Sequence, residues 1–122
     1  MAVIYASKER YQDTVSISDL NVETNVINLP EKSDDYVVEG YIDLSNMQSG
    51  DEVIIREYVA VDGTNSKVFT HITLRNAQTE PILRFPPRKI PYNGLYKVTI
   101  TQTKGTVRSF PYCFIVLVYG TG

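Results

Sequence analysis

The 122-residue chain predicts an all-β fold, a two-sheet antiparallel sandwich of about seven strands. Three observations predict it. Nine Tyr, four Phe and many Val, Ile and Thr fall in short runs broken by Gly, Pro, Asn and Asp, the punctuation of strands and turns. Within those runs apolar residues recur at every second position, the period of a half-buried strand rather than of a helix. A chain of this length holds one core of ordinary size, so the strands must share it. The expected division is an N-terminal arm, residues 1–12, and one sandwich domain, residues 13–122.

The elements follow in order. Val15 to Leu20 and Asn25 to Leu29, the latter stopped by Pro30, read as one or two edge strands. Tyr36, Val38, Gly40, Ile42 and Leu44 fall on one face of the next strand, with Glu39 and Asp43 on the other. Glu52 to Val61 turns Val53, Ile55, Val59 and Val61 inward and ends in Asp62-Gly63, a hairpin signal. Lys67 to Arg75 follows, with Val68, Ile72 and Leu74 expected inward. Pro81 to Pro86 is a short strand held to an edge by prolines that cannot donate to a ladder. Leu95 to Thr103 places Tyr96, Val98 and Ile100 together, and Lys104-Gly105 turns the chain into the last strand, Thr106 to Tyr119.

Bulk properties exclude several classes of function. The net charge of −2 and the scatter of twelve Lys and Arg residues give no positive field for nucleic acid. The single cysteine, Cys113, cannot form an internal disulfide or a cysteine zinc site and reads as a small buried hydrophobe. Met1 to Ala6 is too short for a signal-peptide core, and Cys113 to Tyr119 too short for a membrane-spanning helix, so neither an export signal nor a membrane segment is visible.

Catalytic chemistry finds no set to work with. His71, the one histidine, lies on a strand face opposite the apolar positions, where solvent exposure explains it. Asp34-Asp35 and Asp51-Glu52 stand at strand entries, where loop carboxylates can converge on calcium, although turn polarity explains them as well. No glycine-rich phosphate loop is present. The expectation is a protein that is not an enzyme, with no cofactor and no metal site.

Two local features carry more. Asn93-Gly94-Leu95-Tyr96 resembles the tyrosine corner at the start of the sixth strand of immunoglobulin-like sandwiches, which makes Gly94 and Tyr96 structural residues and implies that the Tyr96 hydroxyl returns to the backbone. A jelly-roll connectivity stands as the alternative. The last strand is apolar on both faces, with Phe110, Tyr112, Phe114, Val116 and Val118 on one and Cys113, Ile115, Leu117 and Tyr119 on the other. A strand of an antiparallel sandwich normally meets water on one face, so its second face calls for cover from the same chain or from another. The N-terminal arm, with Val3, Ile4 and Tyr5, is a second apolar segment in need of a partner and could add to a sheet edge. Val3, Ile4, Tyr5, Ile115, Leu117 and Tyr119 are therefore the candidate interface, and copies of the same chain the expected partner.

The segments Val38 to Thr64 (VEGYIDLSNMQSGDEVIIREYVAVDGT) and Pro91 to Pro111 (PYNGLYKVTITQTKGTVRSFP) resemble small β-sandwich structural proteins of viruses, archaeal ones in particular. That resemblance implies a self-assembling virion component, whether capsid, decoration, turret or tail, whose partners are copies of itself and other virion proteins. The alternative reading is a ligand-binding sandwich module for carbohydrate or a cell-surface partner, for which the tyrosines would supply an aromatic platform.

Overall fold

A computed structural model describes residues 4–32 and 34–120, with side chains from residue 7 onward. Among these residues there are eight strands and no helix: β1 (Ile4–Ser16), β2 (Thr24–Leu29), β3 (Tyr36–Asp43), β4 (Glu52–Ala60), β5 (Lys67–Arg75), β6 (Ile82–Ile90), β7 (Leu95–Lys104) and β8 (Ser109–Gly120). The edge strand expected from Val15 to Leu20 is not formed: Val15 and Ser16 end the longer β1, and residues 17–23 are a loop between β1 and β2. The Lys8-Glu9-Arg10 run of β1 hides any apolar alternation, yet β1 pairs with β8 from Ile4 opposite Gly120 to Ser16 opposite Ser109.

The strands form two antiparallel four-stranded sheets, in the orders β1-β8-β3-β6 and β2-β7-β4-β5. The pairs β1 with β8, β2 with β7, β3 with β6 and β4 with β5 are those of one long hairpin of four strands out and four back, and the β8–β3 and β7–β4 pairs roll that hairpin into two layers. Sequential strands therefore alternate between sheets except for β4 and β5, which are neighbours in one sheet, and residues from all parts of the chain meet in one core.

Inward positions match the alternation of the sequence where strands are central. Tyr36, Val38 and Ile42 of β3, Val98 and Ile100 of β7, and Phe110, Phe114, Val116 and Val118 of β8 are buried in one cluster with Val53 and Ile55 of β4. Gly40 is dictated by space, since a Cβ there would stand 2.5 Å from both the Cys113 carbonyl oxygen and the Phe114 ring. The bare backbone lets Phe114 lie across β3 toward Phe85, with ring centroids 5.2 Å apart.

The edges depart from expectation. Val68 is exposed rather than inward, because a bulge between Glu57 and Tyr58 sets Val68 opposite Tyr58, on the outer face. Ile72 keeps its inward side but lies at the sandwich rim and is also exposed, while Leu74 packs against the core. Val61 lies beyond the end of β4 and is exposed instead of lying beside Val59. The proline-bounded strand does occupy an edge, as β6, but it runs on through Pro86 and Pro87 to Ile90, with a shift of register against β3 between Val38 and Gly40.

Candidate assembly surface

The second face of β8 lies on the outside of the β1-β8-β3-β6 sheet. Ile115 stands between Arg10 of β1 and Glu39 of β3, and Leu117 between Lys8 and Val37. Cys113 stands between Gln12 and Tyr41, so it is half-buried on this outer face and not the core residue that its apolar neighbours suggested. The result is an apolar column, Cys113, Ile115, Leu117 with Val37 and Tyr41, bordered by Lys8 and Arg10 on β1 and by Arg84 and Lys89 on β6. Ile115 and Leu117 are half-buried, with direct cross-strand neighbours about 5 Å away, whereas Lys8, Arg10, Arg84 and Lys89 are exposed.

Tyr119 lies at the end of the same column. Its backbone N–H donates to the Asp35 carbonyl at 2.9 Å, and the Lys89 ammonium sits over its ring at 5.2 Å. Of the expected arm residues, the backbones of Ile4 and Tyr5 pair with Gly120 and Tyr119, a register shift separating Tyr5 from Ser7. Val3, and the side chains of Ile4 and Tyr5, lie outside the described residues.

Gly94 and Tyr96 are both buried, in a different arrangement from a tyrosine corner. The Tyr96 hydroxyl donates to the Glu57 carboxylate, not to a backbone carbonyl. The backbone contact is made by Tyr36, whose hydroxyl donates to the Gly94 carbonyl at 3.4 Å. Arg88 of β6 donates twice to Glu57, at 3.1 and 3.3 Å, so Glu57, Tyr96 and Arg88 tie the two sheets together across the core. Burial and the neighbouring Glu57 carboxylate push the Tyr96 hydroxyl far above the ordinary tyrosine range, which keeps it a donor. This network was legible in one respect, since Glu57 occupies an inward position of β4 between Ile55 and Val59, where an acid needs a buried partner.

The acidic pairs are occupied in loop anchoring. Asp51 accepts from the Arg108 guanidinium at 2.9 Å and the Gln48 N–H at 2.8 Å. Burial raises its pKa, but those donors outweigh burial and hold the carboxyl below the usual aspartate range. Glu52 pairs with Arg75 at 2.5 Å, and Asp35 accepts from the Tyr92 N–H at 2.6 Å. Among the described residues no group of three or more His, Cys, Asp and Glu side chains is placed to hold a metal ion. His71 is exposed on the outer face opposite Arg56. The exposed aromatic residues do not gather: Tyr41 lies on the outer face of the first sheet, Phe69 on the edge strand β5 and Tyr92 in the β6–β7 loop.

No protein-family model matches the sequence, and no curated protein matches it. The fold has known counterparts. The chain is similar to a subunit of the Bacillus endospore appendages described as a family of disulfide-linked pili, at 17% identity and a TM-score of 0.55, over 97% of this chain and 95% of the other. It is also similar to the VP2 protein of the infectious bursal disease virus subviral particle, at 16% identity and a TM-score of 0.51. That match takes in 98% of this chain and 32% of VP2, so the chain spans about a third of the capsid protein's length. At such identities the likeness is one of fold alone, that of a β-sandwich.

Proposed function

We propose that this chain is a non-enzymatic structural subunit of jelly-roll connectivity that associates with copies of itself into a larger particle, and that the particle is a virion, in which it serves as a capsid, decoration or turret component. The observation that carries this reading is the apolar column Cys113, Ile115, Leu117, Val37 and Tyr41, interrupted on β3 by Glu39, on an outer sheet face whose rim, Lys8, Arg10, Arg84 and Lys89, is cationic. An apolar centre with a charged border is the anatomy of an interface patch. The fold likeness to a viral capsid protein and to an appendage subunit supports the same reading, since both proteins are known from assemblies. Ile115, Leu117 and Tyr119 form the centre of the contact, and the arm residues Val3, Ile4 and Tyr5 are proposed to join it, the Ile4 and Tyr5 backbones pairing with the end of β8. Other virion proteins and neighbouring copies are the partners, with no role for nucleic acid, membrane, cofactor or metal.

Light scattering across a concentration series, with negative-stain microscopy of the heaviest fractions, tests the proposal. Mass rising in steps toward a closed or regular particle supports it. A strict monomer at millimolar concentration overturns self-assembly, and regular assemblies whose particles never incorporate into, or appear with, virions overturn the virion role.

A further inference from the structure

Each sheet ends in two edge strands, and the four edges are not alike. β6 carries Pro86 and Pro87, which offer no N–H to a neighbour, and β1 carries Lys8, Glu9, Arg10 and Asp13 along its length. β2 is six residues long and bulged between Asn25 and Ile27. These are the devices by which sheet edges are kept from joining other strands indiscriminately. β5 has fewer of them. It runs nine residues, Lys67–Arg75, without proline, glycine or an acid, and Val68, Phe69 and Ile72 are 46%, 45% and 40% exposed. From Thr70 to Arg75 it pairs with β4 without interruption, and among the described residues β4 is its only strand neighbour. Beneath it a cleft of about 90 Å³ opens between the sheets, lined by Ile55, Glu57, Ile72, Leu83, Phe85 and Arg88.

We propose that the outer edge of β5 is a strand-addition site whose occupant is β2 of a second copy of this chain, so that copies join head to tail and the β2-β7-β4-β5 sheet continues from one copy into the next. The proposal rests on the self-assembly reading and adds the joint. Three observations select β2. The first is direction: the four strands alternate, so a copy carried across the sheet brings its β2 antiparallel to β5. The second is level. Thr24, Ile100, Ile55 and Ile72 form one cross-sheet row, and Leu29, Tyr96, Val59 and Lys67 another, so β2 stands level with the Lys67 to Ile72 part of β5, and Thr73 to Arg75 run past it.

The third is charge. Lys67, His71 and Arg75 are the ionisable residues of β5, whereas Glu23 and Glu31 flank β2; Arg75 is already paired with Glu52 and Glu23 accepts from Tyr58 and Thr99 within one copy, so the pairing the joint adds is Lys67 near the partner copy's Glu31 end. Exposed Leu20 and Val22 lie before β2, at the Ile72 end of β5. The rival pairing of β5 with β5 about a two-fold axis through His71 would set Lys67 opposite Arg75 twice, like charges in direct register, which sheets avoid. A head-to-tail joint of this kind is heterologous, so it generates a ring or a filament rather than a closed dimer. Four strands at about 4.8 Å give an advance of about 19 Å per copy.

The test uses two full-length variants, one with Phe69→Lys and Ile72→Lys on β5, the other with Val22→Lys and Glu31→Lys beside β2, each checked for a native β circular dichroism spectrum. All four positions are exposed at edges, so both variants should fold. Each alone should need about tenfold or more higher concentration than wild type to assemble. Mixed one to one, with Leu117→Asp added to both so that the β8 face is silent, they should form dimers that grow no further, because the mixture contains one intact β5 edge and one intact β2 edge. Assembly of either variant at the wild-type concentration overturns the joint while leaving self-assembly standing, as does failure of the mixture to form dimers. A wild-type chain that stays monomeric overturns self-assembly itself, and the joint with it.

Discussion

Removing the Arg88 guanidinium should cost more stability than removing the charge of its partner Glu57, although the two share one ion pair. The asymmetry comes from burial: the Glu57 side chain is 5% accessible and that of Arg88 34%. Arg88→Met keeps the stem but leaves a buried carboxylate with the Tyr96 hydroxyl as its remaining donor. Stranding a buried charge costs about 3 kcal/mol, at the low end of the range because one donor survives. The guanidinium also lies 5.2 Å from the Phe69 ring centre, a contact worth about 0.5 kcal/mol at such an exposed site. Glu57→Gln instead keeps an oxygen for Tyr96 and leaves a guanidinium that water can reach, so it loses about 1 to 2 kcal/mol of charge-assisted bonding. Urea denaturation of both variants at neutral pH, with unchanged slope, reads the difference directly. At about 4 °C per kcal/mol for a domain of this size, the melting temperatures should fall by about 12 °C and 4 to 8 °C. Equal losses, or a larger loss for Glu57→Gln, would refute the view that burial of the acid sets the cost.

Two further outcomes are expected. Gly94→Ala should destabilise by about 1 to 3 kcal/mol, since a Cβ would stand 2.7 Å from Ile90 Cγ2 and 2.9 Å from the Pro91 carbonyl, and an unchanged denaturation midpoint would show that the turn relaxes freely. Asp62 should titrate far below an ordinary aspartate, at about 2, because the Asn65 and Thr64 N–H groups donate to its carboxylate in the β4–β5 turn. A depressed folded-state pKa means that the turn's contribution is fully present above the unfolded value near 3.8 and is lost as the pH falls through about 2. Carboxyl NMR titration measures this, and a midpoint near 4 would contradict the turn geometry.

What the sequence made legible follows from where local pattern decides structure. In β3, β7 and β8 both neighbours are strands, so the apolar side chains turn inward at every second position, and Tyr36 to Leu44, Tyr96 to Ile100 and Phe110 to Val118 could be placed by period, although Thr99 and Thr101 on the other face of β7 are buried as well. The two-faced character of β8 was readable for the same reason. Edge strands follow the period less closely. A bulge opposite Val68 reversed its face, and the rim position of Ile72 left it exposed although its side was assigned correctly. The pairing order was beyond local reading, because β1 meets β8 across the whole chain and no residue within either strand encodes its partner's distance. The Tyr96 position was recognised but its bond was not. A pattern of a few residues specifies a buried tyrosine, whereas its acceptor, Glu57, comes from β4 and its charge partner Arg88 from β6. The acidic pairs had two readings in sequence, and the structure engages Asp51 with Arg108 and Glu52 with Arg75, partners remote in the chain.

The central claim, that the outer face of β8 joins one copy to another, is tested most directly by Leu117→Asp. Leu117 is half-buried between Lys8 and Val37, so an aspartate there meets a lysine on its own sheet and the isolated domain should fold, with a near-native β circular dichroism spectrum. In a joined surface the same carboxylate would be desolvated against a neighbour's apolar side chains, a cost of several kcal/mol that removes assembly. Light scattering of the variant beside the parent, over one concentration series, should therefore show a folded chain that no longer forms the parent's large assemblies and grows at most through the β5–β2 joint. A variant that assembles like the parent, or one that unfolds as a monomer, would contradict the claim.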